Sequence, residues 1–147
     1  SGRLVSLIRD EAKQFATQTD NDFVLIDGPP GTGCPVISSI SGADCVLVIT
    51  EPTLSGIHDL ERILELTKHF NIDTLVAVNK FDINTENTLK VIKMCFASEA
   101  KYVGKISSDE GFVDAQMQGM SIIEFGKSKC VKEIENIWFN VKNWVEQ

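Results

Sequence analysis

The chain has 147 residues, 43% apolar and 24% charged, the balance of an ordinary globular domain rather than of a disordered tail, a collagen repeat or a disulfide scaffold. Against 21 acidic residues stand 14 basic ones, and the net charge of −7 opposes non-specific attraction to nucleic acid phosphates. No apolar run approaches the ~20 residues of a bilayer-spanning helix, and Ser1-Gly2-Arg3-Leu4 carries no signal-peptide pattern, so a single cytoplasmic domain over residues 1–147 is expected.

Leu4, Ile8, Ala12 and Phe15 recur at helical spacing and predict a helix over residues 3–18, broken by Asp20-Asn21-Asp22. Phe23-Val24-Leu25-Ile26 is a short apolar run ending in Asp27 and a Gly/Pro cluster, which predicts a buried parallel strand. Cys45-Val46-Leu47-Val48-Ile49 repeats the pattern and runs into Thr50-Glu51-Pro52-Thr53. Ser55 is the expected cap of the next helix, whose apolar face carries Ile57, Leu60, Ile63, Leu64 and Phe70. Thr74-Leu75-Val76-Ala77-Val78 predicts a third strand ending at Asn79-Lys80-Phe81-Asp82, and Asn84 opens a helix through Phe96.

Lys101 to Ile106 reads as a fourth strand, more polar and so nearer the sheet edge. Ser107-Ser108-Asp109-Glu110 has the spacing of a capping box. Val131, Ile134, Ile137, Trp138, Val141, Trp144 and Val145 put an apolar stripe on a C-terminal helix; its mixed-sign polar face suits packing on the sheet better than a membrane surface. Strands alternating with helices predict an α/β fold, a parallel sheet of βαβ units with flanking helices. Cys34, Cys45, Cys95 and Cys130 are too dispersed for a zinc or iron–sulfur site and are expected as buried free thiols. His58 and His69 likewise lack a partner at metal-ligand spacing.

Parallel α/β sheets bind ligands beyond the carboxyl ends of their strands. Here those ends run into Asp27 to Gly33, Thr50 to Ser55, Asn79 to Asp82 and Ser107 to Asp109, four loops expected to converge on one crevice. Gly28-Pro29-Pro30-Gly31-Thr32-Gly33-Cys34-Pro35 has both glycines of a phosphate loop but places Cys34 and Pro35 where that loop needs Lys and a hydroxyl. The prolines also remove N–H donors that a phosphate cradle requires. Asp27 suits Mg²⁺ instead, with a following Gly amide placed to sense a terminal phosphate; a capped turn is the plainer alternative. Asn79-Lys80-Phe81-Asp82 matches N-K-x-D, in which the Asn amide pairs with a purine edge, the Lys stem covers the ring and the Asp accepts from guanine.

Asp27-Gly28-Pro29-Pro30-Gly31-Thr32, Thr50-Glu51-Pro52-Thr53-Leu54-Ser55-Gly56 with Asp59 and Arg62, and Asn79-Lys80-Phe81-Asp82 together resemble the second half of the MinD/Mrp/ParA-type ATPases with a deviant Walker A loop. The resemblance is greatest to the branch with an inserted ferredoxin domain, and Gly104 to Asp109 extends it. It implies ATP or ADP and Mg²⁺ as cofactors, Asp27 as the catalytic, Mg²⁺-side acid, and Gly28, Pro30 and Gly31 in a switch that follows the γ-phosphate. It further implies Asn79 at the adenine with Lys80 and Asp82 beside it, and Ser107 and Asp109 in a loop packing near the base. A homodimer sandwiching ATP and an iron–sulfur or redox client are implied as well.

The family's lysine-rich phosphate loop, its first strand and its cysteine-rich insert do not occur in these residues. The expectation is therefore a C-terminal portion of a P-loop ATPase domain, any iron–sulfur clusters lying in an upstream part. Such a portion would bind nucleotide weakly, hydrolyse nothing at a useful rate and leave a sheet edge open to self-association. Two other readings stay open: a GTP-binding switch module, suggested by Asp82, and a scaffold that keeps the fold without nucleotide.

Overall fold

The computed structural model describes residues 2–31 and 33–146. Helices α1 (Gly2–Thr19) and α2 (Cys34–Ile40) precede strand β1 (Cys45–Thr50). Helix α3 (Leu54–His69), strand β2 (Asp73–Asn79), a 3-10 turn (Phe81–Ile83), helix α4 (Thr85–Ala97) and strand β3 (Lys101–Ile106) follow. Helices α5 (Gly111–Met117), α6 (Ile122–Phe125) and α7 (Cys130–Val145) complete the chain. The strands form a parallel sheet in the order β1-β2-β3, which is the expected α/β architecture, with the polar β3 at an edge.

The central strand shows why the sheet closes a core on both faces. Side chains alternate along a strand, and β2 sends Val76 and Val78 to one layer and Leu75 and Ala77 to the other. The first layer adds Leu60 and Leu64 of α3 with Val91 and Cys95 of α4. The second is closed by Val103 of β3 and by Ile137 and Val141 of α7, so the C-terminal stripe packs on the sheet. Gly104 makes that packing possible. Its φ is +154°, and a Cβ there would stand 2.6 Å from Ile137 Cγ1, so α7 seats against bare backbone.

Caps set the helix boundaries. Asn84 accepts from the Asn87 N–H at 2.9 Å and starts α4 as expected. The cap of α3 is Thr53, which accepts from the Gly56 N–H at 3.0 Å; Ser55 is the second residue of the helix and bonds the Thr53 hydroxyl. A capping box forms at Ser121 and Glu124 and not at Ser107 and Glu110, because Glu133 takes the Ser107 amide that Glu110 would have to accept and α5 starts only after Glu110.

Phe23 to Ile26, expected as a buried strand, is irregular. Leu25 is 86% exposed and none of the four residues is buried. A strand interior to a parallel sheet needs hydrogen-bonded neighbours as well as an apolar sequence. Among the described residues this run pairs with no strand, and β1 is bonded to β2 alone. Phe23 packs edge-to-face on Trp138 of α7 instead, with ring centroids 5.9 Å apart. The cysteines divide likewise. Cys95 and Cys130 are buried as expected, Cys45 is half-buried, and Cys34 is exposed at the start of α2.

Candidate functional site

Each of the three strands ends in a loop, and two side-chain bridges sew these loops together. Between β1 and α3, Thr50 donates its hydroxyl to the Gly56 carbonyl at 3.0 Å, folding the loop back on the first turn of α3. A Cβ on Gly56 would stand 2.3 Å from the Glu51 carbonyl oxygen, so only glycine lets the turn close this tightly. The Pro52 carbonyl accepts from the Asn87 carboxamide at 3.1 Å, which ties the loop to α4.

At the end of β2, Lys80 takes the left-handed conformation, φ 50° and ψ 44°, and its Nζ meets Glu51 Oε1 at 2.8 Å. This ion pair spans the β1 and β2 loops. Asn79 is half-buried; its Oδ1 accepts from the Lys80 N–H at 3.0 Å, and its Nδ2 donates to no protein group among the described residues. A carboxamide so placed offers a donor to an acceptor such as a purine ring nitrogen. Phe81 lies beneath the Lys105 ammonium, 3.9 Å from its ring centroid, and its carbonyl accepts from the Thr88 hydroxyl at 2.8 Å.

The β3 loop is held by carboxylates from three places. Glu133 of α7 accepts from both the amide and the hydroxyl of Ser107, each at 2.7 Å, and Asp82 accepts from the Ser108 amide at 2.7 Å. Asp109 accepts from the Gly111 amide at 2.7 Å. That amide, and after it the Ser128 hydroxyl, holds the Asp109 carboxyl below the usual carboxylate range. Cys130 donates its thiol to the Ser107 carbonyl at 3.3 Å, and burial pushes that thiol's pKa up. Ser107 is thus gripped by α7 through backbone and side chain alike.

Of the residues singled out in the sequence, Asn79, Lys80, Asp82, Ser107 and Asp109 lie in these connected loops. Asp27, Gly28, Pro30 and Gly31 do not stand beyond a strand end, because the strand expected before them does not form. Asp27 lines a cavity of about 310 Å³ with Val5, Ile8, Arg9 and Ala12 of α1, and Gly28 lies against Ser39 of α2. Among the described residues no hydrogen bond joins 23–31 to the three loops, and Thr32 lies outside the described residues. Glu51 and Ser108 lay in loops expected to converge but were given no role, and Glu133 is the residue that sequence reasoning missed as part of the cluster. Glu133 had only its place on the polar face of a helix to mark it; its partner Ser107 is 26 residues away.

No group of three or more His, Cys, Asp or Glu among the described residues could hold a metal ion. None of the described helices is long and apolar enough to cross a membrane.

No protein-family model matches the chain. An uncharacterized protein of Methanocaldococcus jannaschii is 38% identical over 87 residues, covering 59% of this chain and 30% of that protein. The septum site-determining protein MinD of Thermotoga maritima is 26% identical over 125 residues, 79% of this chain and 45% of its own length. An uncharacterized ATP-binding protein of M. jannaschii is 28% identical over 88 residues, 60% of this chain and 33% of that protein. The chain spans less than half the length of the curated relatives it matches.

Among solved structures, MinD in a MinC:MinD cell division complex from Aquifex aeolicus superposes with a TM-score of 0.78 at 21% identity, over 95% of this chain and 59% of that one. MinD complexed with Mg-ADP from Pyrococcus horikoshii gives 0.74 at 16% identity, over 93% and 55%. The parallel sheet with its flanking helices is therefore the fold seen in the solved MinD structures, and in sequence the chain is similar to MinD at 26% identity over 79% of its length.

Proposed function

We propose that this chain supplies the base-side half of an adenine-nucleotide site in a MinD-type ATPase, with the connected loops of β1, β2 and β3 as its floor. The observation that carries this reading is the bridging of three strand-end loops, Glu51 to Lys80 and Asp82 to Ser108, around an Asn79 carboxamide whose Nδ2 donates to no protein group among the described residues. Strand ends of a parallel sheet are where such ligands sit. Asn79 would meet the base, Lys80 would flank it, and Ser107 and Asp109 would set the position of the loop beside it.

Asp27 is proposed as the Mg²⁺-side acid, with Gly28, Pro30 and Gly31 following the γ-phosphate. Mg²⁺ takes one or two protein carboxylates and completes its shell with phosphate oxygens and water; Asp27 here lines a mostly apolar cavity against α1, away from the connected loops, and takes this role from the sequence resemblance alone. Bound there, the ion would neutralise charge on the phosphates. The connected loops hold no lysine placed as in a phosphate loop, so this stretch by itself is expected to bind nucleotide weakly and to hydrolyse nothing. A homodimer, and an iron–sulfur or redox client for the whole protein, complete the proposal; the client rests on the sequence resemblance alone.

Nuclear magnetic resonance of the labelled chain titrated with Mg-ADP tests the reading. Shifts are expected in the amides of residues 50–56, 79–82 and 107–111, and Asn79→Ala should weaken binding about tenfold, the value of one lost well-placed hydrogen bond. Shifts confined to other surfaces, or none at millimolar nucleotide, would make the chain a scaffold.

A further inference from the structure

In an N-K-x-D motif that reads guanine, the aspartate uses both carboxylate oxygens, one for the ring N1–H and one for the exocyclic amine. Here the Ser108 amide donates to Asp82 Oδ1 at 2.7 Å, which turns the carboxylate toward the β3 loop and sets its orientation from within the protein. We propose that Asp82 is a positioning residue and not a base reader: its carboxylate fixes the β3 loop to the β2 loop and leaves base contact to Asn79.

The geometry explains why such a tie is needed. The β2–β3 ladder ends at Asn79 opposite Ile106, and beyond it the chains part into the 3-10 turn and the β3 loop. Two consecutive amides, Ser107 and Ser108, then leave the ladder without strand partners. Glu133 of α7 takes the first and Asp82 the second, so carboxylates from two different elements hold adjacent links of one chain. Asp82 is itself held in place. Phe81 before it is covered by Lys105 and bonded through its carbonyl to Thr88, and Ile83 after it closes the 3-10 turn on the Lys80 carbonyl at 3.1 Å. Charge-assisted bonds to backbone amides are the stronger class, which suits a tie that must hold an exposed loop.

The inference about the base rests on the proposed nucleotide reading, whereas the tie itself does not, and one experiment separates them. Amide exchange at Ser108 is measured in the full chain as wild type, Asp82→Ala and Asp82→Asn, and binding of ATP, GTP and XTP is compared in the same three proteins. Asparagine keeps an Oδ1 acceptor for Ser108, but it offers guanine one donor where the aspartate offered only acceptors, which favours xanthine. The expected result is Ser108 exchange faster by about tenfold in Asp82→Ala and within about twofold of wild type in Asp82→Asn. The order of the three nucleotides should stay the same in Asp82→Asn. Unchanged Ser108 exchange in Asp82→Ala, or a change from GTP to XTP preference in Asp82→Asn, overturns the proposal. If no nucleotide binds any form, the nucleotide reading fails, and the exchange ratio alone decides whether Asp82 ties the loops.

Discussion

Two apolar runs of nearly equal character meet opposite fates in this molecule. Leu75 to Val78 are fully buried at the centre of the sheet, whereas Phe23 to Ile26 run irregularly over the surface with Leu25 86% exposed. Hydrophobicity does not separate them; partners do. The first run has β1 and β3 on either side and helices over both faces, while the second has an edge-to-face contact with Trp138, the Lys142 ammonium 6.0 Å from the Phe23 ring centroid, and the loose cover of α1. A four-residue apolar run is thus a request for neighbours, and a sheet forms only where the chain supplies them.

The sharpest way to break this contrast is a matched pair of truncations. Leu60, 1% exposed beneath the sheet, should cost about 2–5 kcal/mol when changed to Ala, whereas Leu25→Ala should change stability by less than about 0.5 kcal/mol. Urea unfolding of the two variants measures both; equal losses would mean that 23–26 is buried in solution. Next in size is Gly104→Ala, which drives a methyl into Ile137 at a φ that L-residues avoid and should cost about 1–3 kcal/mol. Adding Ile137→Ala relieves the clash, so the double variant should lose less than the sum of the two.

The smallest effect is one of pH. Burial lifts the Cys95 thiol from its ordinary 9.0 to about 11. The unfolded chain then releases that proton first, so stability is fully present below pH 9 and falls as pH rises toward 11. By pH 9.5 the loss should be under about 1 kcal/mol. Comparing the alkaline slopes of wild type and Cys95→Ala isolates this contribution, and identical slopes would refute it.

What the sequence made legible follows the range of the interactions involved. β1, β2, β3, α3, α4 and α7 could be read because each is a local pattern of period two or 3.6 with its own breakers, and Asn84 capped α4 because its partner Asn87 is three residues away. Phe23 to Ile26 misled because the missing information was whether another strand would lie beside it. The loops of the candidate site were visible as places, since strand ends announce themselves. Their construction was not. Ser107 has the spacing of a helix cap, yet Glu133 outbids Glu110 for it from 26 residues away, and Asp82 finds Ser108 across the same interval. Likewise Glu51 and Lys80 meet only because parallel pairing puts Thr50 beside Val78.

The ring contact between Phe23 and Trp138 also has an optical consequence. The chain has two tryptophans; Trp144 packs against the Leu75–Ile137 layer, while Trp138 is 44% exposed and touches the segment that leads into Asp27. Any partner or ligand that draws residues 23–31 away uncovers the Trp138 indole and shifts its emission to the red, while Trp144 stays as an internal reference. The protein thus carries an intrinsic fluorophore that reports on residues 23–31, readable without a label.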